Sequence, residues 1–399
     1  MSIEQKPGKM MTSFLLSMIR TYLNRRSKIV IERNDTINLQ PPYIILSNHV
    51  TNWDPLYLNL FVKEPISFVA GDSLFRNPLL KRVLDYTGAI PKTKFKSDTR
   101  TIRSMRKAVK HNRVIGLFPE GNRNWDGNTE PLTPATAKLI KMLNVPVIIA
   151  TISGGHLSHP RWAVDHRKGL ISISFVKKWD KVELTNETPE TIHQMLTEAL
   201  AHDEMKWQAE KQIPFIGANL AHYLERYLFV CPHCEHLGQL ESNNQLFHCK
   251  NCEYTVRYTP FGTFEEGKHP LHFLTPSAWN KWQLEWLEAR MSESTYTFSL
   301  KDHVKLFSAD TDQPFAFICQ GNLNWTEGGM TLVSDEGKSY SFAFKDLEGV
   351  NIHLHHHLEF FTDHKQYQIE FYQPRTSAYK WLQVIKTSIL LDIRSANNE

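Results

Sequence analysis

A histidine and an aspartate five positions apart follow an apolar run near the start of the chain, in the segment NHVTNWD (48–54). On a regular helix the side chains of His49 and Asp54 would point about 140° apart, so they meet only if a turn separates them. Asp54 precedes Pro55, a pair typical of a helix start with Asp as N-cap, and such a start supplies the turn. In contact with His49, the carboxylate would fix the imidazole tautomer and make the ring a general base. The alternative is that Asp54 only caps its helix.

A second polar segment, LFPEGNR (117–123), also follows an apolar run that predicts a strand. It brings together Glu120, Gly121 and Arg123 at the end of that strand. Glycine permits close approach of a ligand to the backbone, and a guanidinium can hold a phosphate through two hydrogen bonds. Taken alone, the segment is more simply an ordinary strand-to-loop turn.

Two further segments, GAIPKTK (88–94) and VPVI (145–148), complete a series of four. By residue type VPVI indicates a core strand rather than a ligand contact. In this order and spacing, the four segments resemble the motifs of the lysophosphatidic acid acyltransferases (1-acylglycerol-3-phosphate acyltransferases), a family of glycerolipid acyltransferases. The resemblance covers roughly residues 40–210, about half of the chain.

The resemblance implies a role for each polar residue. His49 and Asp54 correspond to the family's HX4D motif, in which the histidine takes the proton of the acceptor hydroxyl and the aspartate orients the histidine. The alkoxide then attacks an acyl thioester directly, and the absence of a G-x-S-x-G nucleophile elbow from the sequence agrees with this route. Glu120, Gly121 and Arg123 fall where the family holds the glycerol phosphate of the acceptor.

Two positions depart from the family pattern. Lys94, at the end of GAIPKTK, stands where the family motif normally has a phosphate-binding arginine. The positive charge is kept, but a lysine cannot form the bidentate hydrogen bonds of a planar guanidinium. Asn122 stands where threonine is usual. Both departures leave the chemistry intact and leave the identity of the acceptor open.

Four of the five cysteines form two pairs, Cys231/Cys234 and Cys249/Cys252, with fourteen residues between the pairs. Two C-x-x-C pairs at this separation are typical of a zinc ribbon with tetrahedral, all-cysteine coordination. Because four thiolates complete the coordination shell, the Zn²⁺ is expected to be structural. Cys319 lies alone in an apolar run and is predicted to be a small buried residue.

The N-terminal segment predicts an amphipathic basic helix over residues 10–28. Its apolar residues recur at helical spacing and are Met11, Phe14, Leu15, Met18 and Tyr22. Such a helix can lie in the lipid headgroup layer, or it can be an ordinary helix packed on the domain behind it. No run approaches the roughly 18 apolar residues of a membrane-spanning helix, so a cytoplasmic protein in peripheral contact with the membrane is expected.

A basic run extends from Lys81 to Arg113 and contains eleven Lys or Arg residues against two acidic ones. It is either a solvated helix face or a region that attracts a phosphate-bearing substrate or an anionic membrane surface. Only two of its residues, Tyr86 and Phe95, are aromatic, too few to stack bases along the run, which argues against nucleic acid as a partner.

Alternating strands and helices from about residue 29 predict an α/β fold with a mostly parallel sheet flanked by helices. The expected strands lie near 43–46, 114–118, 147–152 and 170–176, and a helical region is expected from Thr188 to about residue 228. Short strands and a closing helix from Ser377 resemble a pleckstrin-homology or GRAM-like module. A histidine cluster at 353–357 is predicted to lie on an exposed strand rather than at a metal site. The predicted organisation is a membrane-surface helix (1–28), an acyltransferase domain (29–228), a zinc ribbon (229–258), a connector (259–294) and a β domain (295–399).

The sequence therefore predicts an O-acyltransferase of phospholipid synthesis. Its acyl donor is expected to be a thioester of coenzyme A or acyl carrier protein, and its acceptor a lysophospholipid, 1-acyl-glycerol-3-phosphate, which becomes phosphatidic acid. Acylation of another lyso-lipid or a glycolipid hydroxyl is the second enzymatic interpretation. The non-enzymatic one is a zinc-containing lipid-binding adaptor, against which the intact set of His49, Asp54, Glu120 and Arg123 argues.

Overall fold

The computed structural model describes residues 3–92, 99–293, 298–310, 313–362 and 365–398. The chain forms two compact units. One comprises Met1–Arg161 and His166–Gly217, and the other comprises Trp162–Asp165 and Ala218–Glu399. Apart from the short segment Trp162–Asp165, the second unit begins after Gly217, whereas the sequence placed the boundary after residue 228.

Helices and strands alternate through the first unit. They are α1 (Lys9–Arg26), β1 (Lys28–Asn34), β2 (Tyr43–Ser47), α2 (Asp54–Asn59), β3 (Ile66–Gly71), α3 (Pro78–Thr87), β4 (Ile90–Lys92), α4 (Thr99–Lys110), β5 (Val114–Leu117), α5 (Ala135–Leu143), β6 (Val147–Ser153), α6 (Gly155–Ser158), β7 (Leu170–Trp179), α7 (Lys181–Asn186), α8 (Pro189–Leu200) and α9 (Glu204–Lys211). The helical region expected up to residue 228 is shorter, because Gln212 ends α9 in the left-handed conformation at φ 50° and Pro214 follows.

Seven strands of the described chain form one sheet in the order β1-β7-β6-β2-β5-β3-β4. The five strands from β6 to β4 are parallel to one another, β7 is antiparallel to β6, and β1 is parallel to β7. This mixed α/β architecture confirms the predicted mostly parallel sheet. It also contains β1, β3 and β4, which the sequence did not locate individually.

The central strand β2 shows how the sheet is held between two layers. Its side chains alternate, with Tyr43 and Ile45 in one buried cluster and Ile44 and Leu46 in the other. Burial of each such side chain contributes about 1.5–3 kcal/mol. Because both faces of the sheet carry such side chains, a helical layer is needed on each face. Because β2 and β5 are parallel neighbours, the loops that follow them leave the same edge of the sheet.

The second unit consists mainly of antiparallel strands. Its elements are β8 (Leu240–Asn243), β9 (Leu246–Cys249), β10 (Thr255–Tyr258), β11 (Phe264–Glu266), α10 (Pro276–Ser292), β12 (Lys301–Ala309), β13 (Ala316–Thr326), β14 (Gly329–Ser334), β15 (Ser339–Ala343), β16 (Glu348–His353), β17 (His357–Thr362), β18 (Lys365–Glu370) and α11 (Ala378–Asn398). In the described residues, β8 to β11 form a sheet in the order β11-β10-β9-β8, and β12 to β18 form a second one in the order β15-β14-β13-β12-β18-β17-β16.

Three expectations for this unit need correction. The segment expected to be a connector contributes β11 to the small sheet, and Trp279 of α10 lies with its ring 5.5 Å from that of Phe247 in β9. The histidine cluster does not lie on one exposed strand, because His353 ends β16 and His357 begins β17, so the cluster forms a hairpin turn. Cys319 is only half-buried.

Candidate active site and metal centre

His49 and Asp54 are in direct contact at the end of β2. His49 Nδ1 lies 2.7 Å from Asp54 Oδ2. An ionised carboxylate only accepts hydrogen bonds, so the contact assigns the proton to Nδ1 and leaves Nε2 with a free lone pair. The imidazole is about one fifth exposed and the carboxylate is fully buried, at 20% and 0% side-chain exposure. A base of this kind can take a proton from a hydroxyl group that reaches the accessible side of the ring.

The structure also explains how the turn between the two residues forms. Asp54 does not act as the helix N-cap, a position that Trp53 occupies without a capping side-chain hydrogen bond. The Asp54 carboxylate folds back instead, and accepts hydrogen bonds from the backbone N–H groups of Val50 (2.7 Å) and Thr51 (2.9 Å). It accepts a further bond from Thr51 Oγ1 at 2.7 Å. The predicted N-cap is therefore wrong, and Asp54 organises the loop that carries His49.

The surroundings of the imidazole affect its basicity. The ring stacks on Phe118, with ring centroids 4.1 Å apart. Burial lowers the pKa of His49 below its ordinary value, the hydrogen bond and charge of Asp54 oppose this, and the charges of Arg123 and Arg161 lower it further. The lowered pKa favours the neutral imidazole, which is the form that accepts a proton.

Glu120 connects the loops that follow β2 and β5. Its Oε1 accepts a hydrogen bond from the backbone N–H of His49 at 2.6 Å, and its Oε2 accepts one from Glu130 at 2.9 Å. Burial raises the pKa of Glu120 to about 8, although both hydrogen bonds act in the opposite direction. Near neutral pH this side chain therefore keeps a proton.

Gly121 and Arg123 lie in the same loop as Glu120. Gly121 has a φ of +74°, which side-chain-bearing residues rarely adopt, and no atom lies within 4 Å of the position its Cβ would take. The open space leaves the backbone accessible to a ligand. Burial lowers the pKa of Arg123 to about 10, and the charge of Asp54 opposes this. Arg123 remains a cation at neutral pH and is suited to a phosphate group.

Two residues of the site were not found by sequence reasoning. Asn48 joins the end of β2 to β6, because its side chain donates to Ile152 O and accepts from Ile152 N, both at 2.9 Å. Arg161 is buried, donates to the backbone oxygen of Arg123 at 2.5 Å and lies 4.5 Å from the centre of the Trp125 ring. A polar residue next to His49 was a usable signal for Asn48. Arg161 gave none, because it is 38 residues from Arg123 in sequence.

Lys94, expected to contact the acceptor phosphate, lies outside the described residues. The fourth segment forms core as its residue types indicated, since Val145, Val147 and Ile148 are all buried.

The four paired cysteines converge in the second unit. Their Sγ atoms all lie within 4.8 Å of one another, and the contacts Cys231–Cys252 and Cys234–Cys249 are each 3.7 Å. A tetrahedral shell with Zn–S bonds of about 2.3 Å requires S···S separations of about 3.8 Å, so the four thiols fit a zinc ion. They are too far apart for disulfides, whose S–S bond is about 2.05 Å.

Similar backbone turns present the two cysteine pairs. Glu235 and Glu253 each follow the second cysteine of a pair, have positive φ (56° and 60°) and donate a backbone hydrogen bond of 2.9 Å to the first cysteine of that pair. The Glu235 carboxylate also accepts hydrogen bonds from Trp286 Nε1 at 3.0 Å and from Arg290 at 2.6 Å. Helix α10 is thereby attached to the first cysteine turn.

Comparison with known proteins concerns the part of the chain that contains the His49–Asp54 pair. Residues 28–153 match the Acyltransferase family model. This segment extends from β1 to β6, so it includes His49, Asp54, Glu120 and Arg123. The match supports the resemblance inferred from the four motifs, while the cysteine cluster lies outside it.

The alignments with similar proteins cover only part of each protein. A 1-acyl-sn-glycerol-3-phosphate acyltransferase of Borreliella burgdorferi is 29% identical over 132 residues, which cover 31% of this chain and 51% of that protein. The chloroplastic 1-acyl-sn-glycerol-3-phosphate acyltransferase BAT2 of Brassica napus is 24% identical over 115 residues, 28% of this chain and 33% of that protein. The crystal structure of the 1-acyl-sn-glycerophosphate (LPA) acyltransferase PlsC from Thermotoga maritima matches with a TM-score of 0.42 and 19% identity, over 50% of this chain and 80% of that chain. The chain thus spans about half or less of the curated relatives it matches.

Among the residues that the structure describes, every helix is too short or too polar to span a bilayer.

Proposed function

We propose that this chain is an O-acyltransferase that transfers a fatty acyl group from a thioester of coenzyme A or acyl carrier protein to the free hydroxyl of 1-acyl-glycerol-3-phosphate, forming phosphatidic acid. The proposal rests on one observation: within the segment that matches the Acyltransferase family, His49 Nδ1 lies 2.7 Å from a buried Asp54 carboxylate at the edge of the sheet. The curated relatives named above are 1-acyl-sn-glycerol-3-phosphate acyltransferases, which supports this acceptor.

In the proposed reaction His49 is the general base. Its Nε2 takes the proton of the acceptor hydroxyl as the oxygen attacks the thioester carbonyl, so that a C–O bond forms and the C–S bond breaks. The departing thiolate then takes the proton from the imidazolium, which returns His49 to its neutral form. Asp54 keeps the proton on Nδ1 and stabilises the cationic ring between the two transfers.

The acceptor phosphate is proposed to bind at the loop after β5, where Arg123 supplies a cation and Gly121 an accessible backbone. Lys94 is proposed to add a second cation. Glu120 is proposed to position His49 through the hydrogen bond to its backbone N–H, and its protonated state avoids repulsion of the phosphate.

The cysteine cluster is proposed to be a zinc ribbon with a structural ion, and the C-terminal antiparallel sheet with α11 to be a pleckstrin-homology or GRAM-like module. The S···S distances of 3.7 Å support the zinc site. For membrane attachment we propose α1, which carries exposed apolar and basic side chains.

The test of this function is a transfer assay with purified full-length protein. The protein would be incubated with labelled acyl-coenzyme A or acyl carrier protein and a panel of lyso-lipids, and the products identified by mass spectrometry. Formation of phosphatidic acid from 1-acyl-glycerol-3-phosphate, in preference to the other acceptors, is expected. A product from a different lyso-lipid or a glycolipid would correct the acceptor. Lipid binding without transfer under any condition would favour the adaptor interpretation.

Arg123→Ala is expected to raise the apparent KM for the acceptor by roughly 10- to 100-fold, because a charge-assisted phosphate contact contributes about 1.5–3 kcal/mol. The KM for the acyl donor should change much less. Steady-state kinetics with each substrate varied in turn measure both values. Arg123→Lys serves as the matched control and should recover part of the loss, since it keeps the charge without the two-point grip. An unchanged acceptor KM in Arg123→Ala would place the phosphate elsewhere.

The value of kcat/KM should decrease at both acid and alkaline pH. Because the pKa of His49 is lowered, its protonation should reduce kcat/KM only below the ordinary imidazole range of about 6.5. On the alkaline side, kcat/KM should fall as pH rises through about 8, where Glu120 ionises and places a negative charge near the acceptor phosphate. Profiles of wild type and Glu120→Gln test this, because the variant cannot ionise and should lack the alkaline decrease. An identical decrease in the variant would assign it to another group.

A further inference from the structure

Helix α1 presents two apolar stripes rather than one. Leu23 is fully buried, and Leu16 and Ile19 pack partly buried against the same core cluster, so these three residues attach the helix to the first unit. The residues that define the predicted stripe lie on a different side and are exposed, together with Met10. Their exposed fractions range from 37% for Leu15 to 89% for Met10. The helix therefore packs on the first unit, as one of its two interpretations held, but through residues outside the predicted stripe.

Helix α3 has the same character and contacts α1. Leu79 and Val83, one turn apart, are exposed by 72% and 52%, and α3 contains no buried residue. The Tyr86 hydroxyl at the end of α3 lies 3.4 Å from both Gly8 O and Thr12 Oγ1 at the start of α1. Tyr86 follows Val83 by three residues and so belongs to the same face of α3. This contact joins the end of α3 to the start of α1, so the exposed apolar residues of both helices belong to one region of the first unit.

The charges of the two helices are strongly unequal. Helix α1 contains four basic residues and no acidic one, and α3 contains two basic residues and one acidic residue. The single acid, Asp85, is paired with Lys81 at 2.6 Å. Exposed apolar side chains flanked by unbalanced positive charge are complementary to a bilayer with anionic headgroups. A partner protein with an apolar surface would not require this excess of positive charge.

The exposed stripe of α1 reaches the loop that carries the His49–Asp54 pair. Tyr22, at the end of the stripe, lies 5.3 Å from the Trp53 ring, measured between centroids. Arg26 lies over both rings, 4.7 Å from Tyr22 and 5.5 Å from Trp53. Tyrosine and tryptophan are enriched where apolar membrane meets headgroups, so this pair suits the border of a lipid-facing surface.

We propose that α1, α3 and the Tyr22–Trp53 pair form one continuous lipid-binding surface, in which α3 is a second insertion element. The occupant is an anionic phospholipid bilayer. Because the surface ends at Trp53, directly before Asp54 in sequence, it would hold the catalytic loop at the headgroup layer, where a lysophospholipid exposes its hydroxyl. The role of this surface in presenting the acceptor rests on the proposed function. Binding of the surface to a bilayer does not depend on catalysis.

The experiment compares wild type with Leu79→Glu/Val83→Glu and Phe14→Glu/Met18→Glu. Full-length proteins would be sedimented with sucrose-loaded vesicles of phosphatidylcholine containing phosphatidylglycerol, without any acyl donor. Each double variant should lower the partition coefficient at least about tenfold, because it removes two apolar side chains from the membrane and adds charge. The matched control is Val182→Glu, a residue of α7 with 73% exposure, which should bind as wild type. Circular dichroism verifies that each variant is folded.

Three outcomes would overturn the inference. Wild-type binding by Leu79→Glu/Val83→Glu would show that α3 does not insert, and α1 alone would be the anchor. An equal loss in Val182→Glu would assign the effect to added negative charge and not to this surface. If α3 instead mediates self-association, analytical ultracentrifugation would reveal a wild-type dimer that the α3 variant dissociates while vesicle binding persists. None of these results affects the transfer assay, which can use a dispersed short-chain acceptor, so failure of this inference is distinct from failure of the proposed function.

Discussion

His49→Ala is expected to lower turnover by roughly 10²- to 10⁴-fold, because it removes the group that takes the proton from the acceptor hydroxyl. The fold should survive, since the ring is partly exposed and its main packing contact is the stack on Phe118. Single-turnover rates with saturating acceptor and donor measure the loss, and thermal unfolding verifies the fold. A folded variant with wild-type transfer would refute the proposed mechanism.

Asp54→Asn distinguishes an electrostatic role of the carboxylate from a purely structural one. The amide can accept through only one oxygen, whereas the carboxylate accepts from His49, Val50 and Thr51. The tautomer of His49 would no longer be fixed, so turnover should fall by about 10²- to 10⁴-fold.

The matched control for Asp54→Asn is Thr51→Val, which removes the 2.7 Å hydrogen bond from Thr51 Oγ1 to Asp54 but leaves the carboxylate in place. A loss of no more than about tenfold is expected, because the carboxylate keeps its contact with His49 and its hydrogen bonds from the backbone N–H groups of Val50 and Thr51. Equal losses in both variants would mean that Asp54 acts only by holding the loop.

Cys231→Ser is expected to abolish stoichiometric zinc binding and to destabilise the small sheet of the second unit. Structural zinc sites of this type contribute about 10–16 kcal/mol to folding, more than the total stability of most domains. The wild-type protein, purified without chelators, should contain about one zinc per chain by elemental analysis. Near-ultraviolet circular dichroism should detect the change, because Trp286 donates to Glu235 in the first cysteine turn and Trp279 packs against Phe247.

Cys319→Ser is the matched control for the zinc prediction. Cys319 is half-buried in β13 and does not belong to the four-cysteine cluster, so its replacement should leave zinc content and the tryptophan signal unchanged. Native protein without zinc would exclude the proposed ribbon. Normal zinc content in Cys231→Ser would exclude Cys231 as a ligand.

The sequence by itself determined the local chemistry and many of the local elements. The apolar runs that predicted strands near 43–46, 114–118, 147–152 and 170–176 coincide with β2, β5, β6 and β7. The cysteine spacing indicated that the four thiols would converge, because two C-x-x-C turns each carry their two cysteines within a few residues. The order of the four motifs indicated the acyltransferase resemblance. Such features depend on residue type and short-range spacing, which a single sequence displays directly.

Which of these residues and elements come into contact was decided only by the tertiary structure. The role of Asp54 changed from helix cap to organiser of the His49 loop, because the same carboxylate can satisfy either set of N–H donors and local sequence does not choose between them. Arg161 joined the site from 38 residues away, and the orientation of β7 opposite to β6 depends on long-range pairing that has no short-range signal. The two stripes of α1 are the plainest case. Both are apolar in sequence, and only the position of the core behind Leu23 determines which one is buried and which stays exposed.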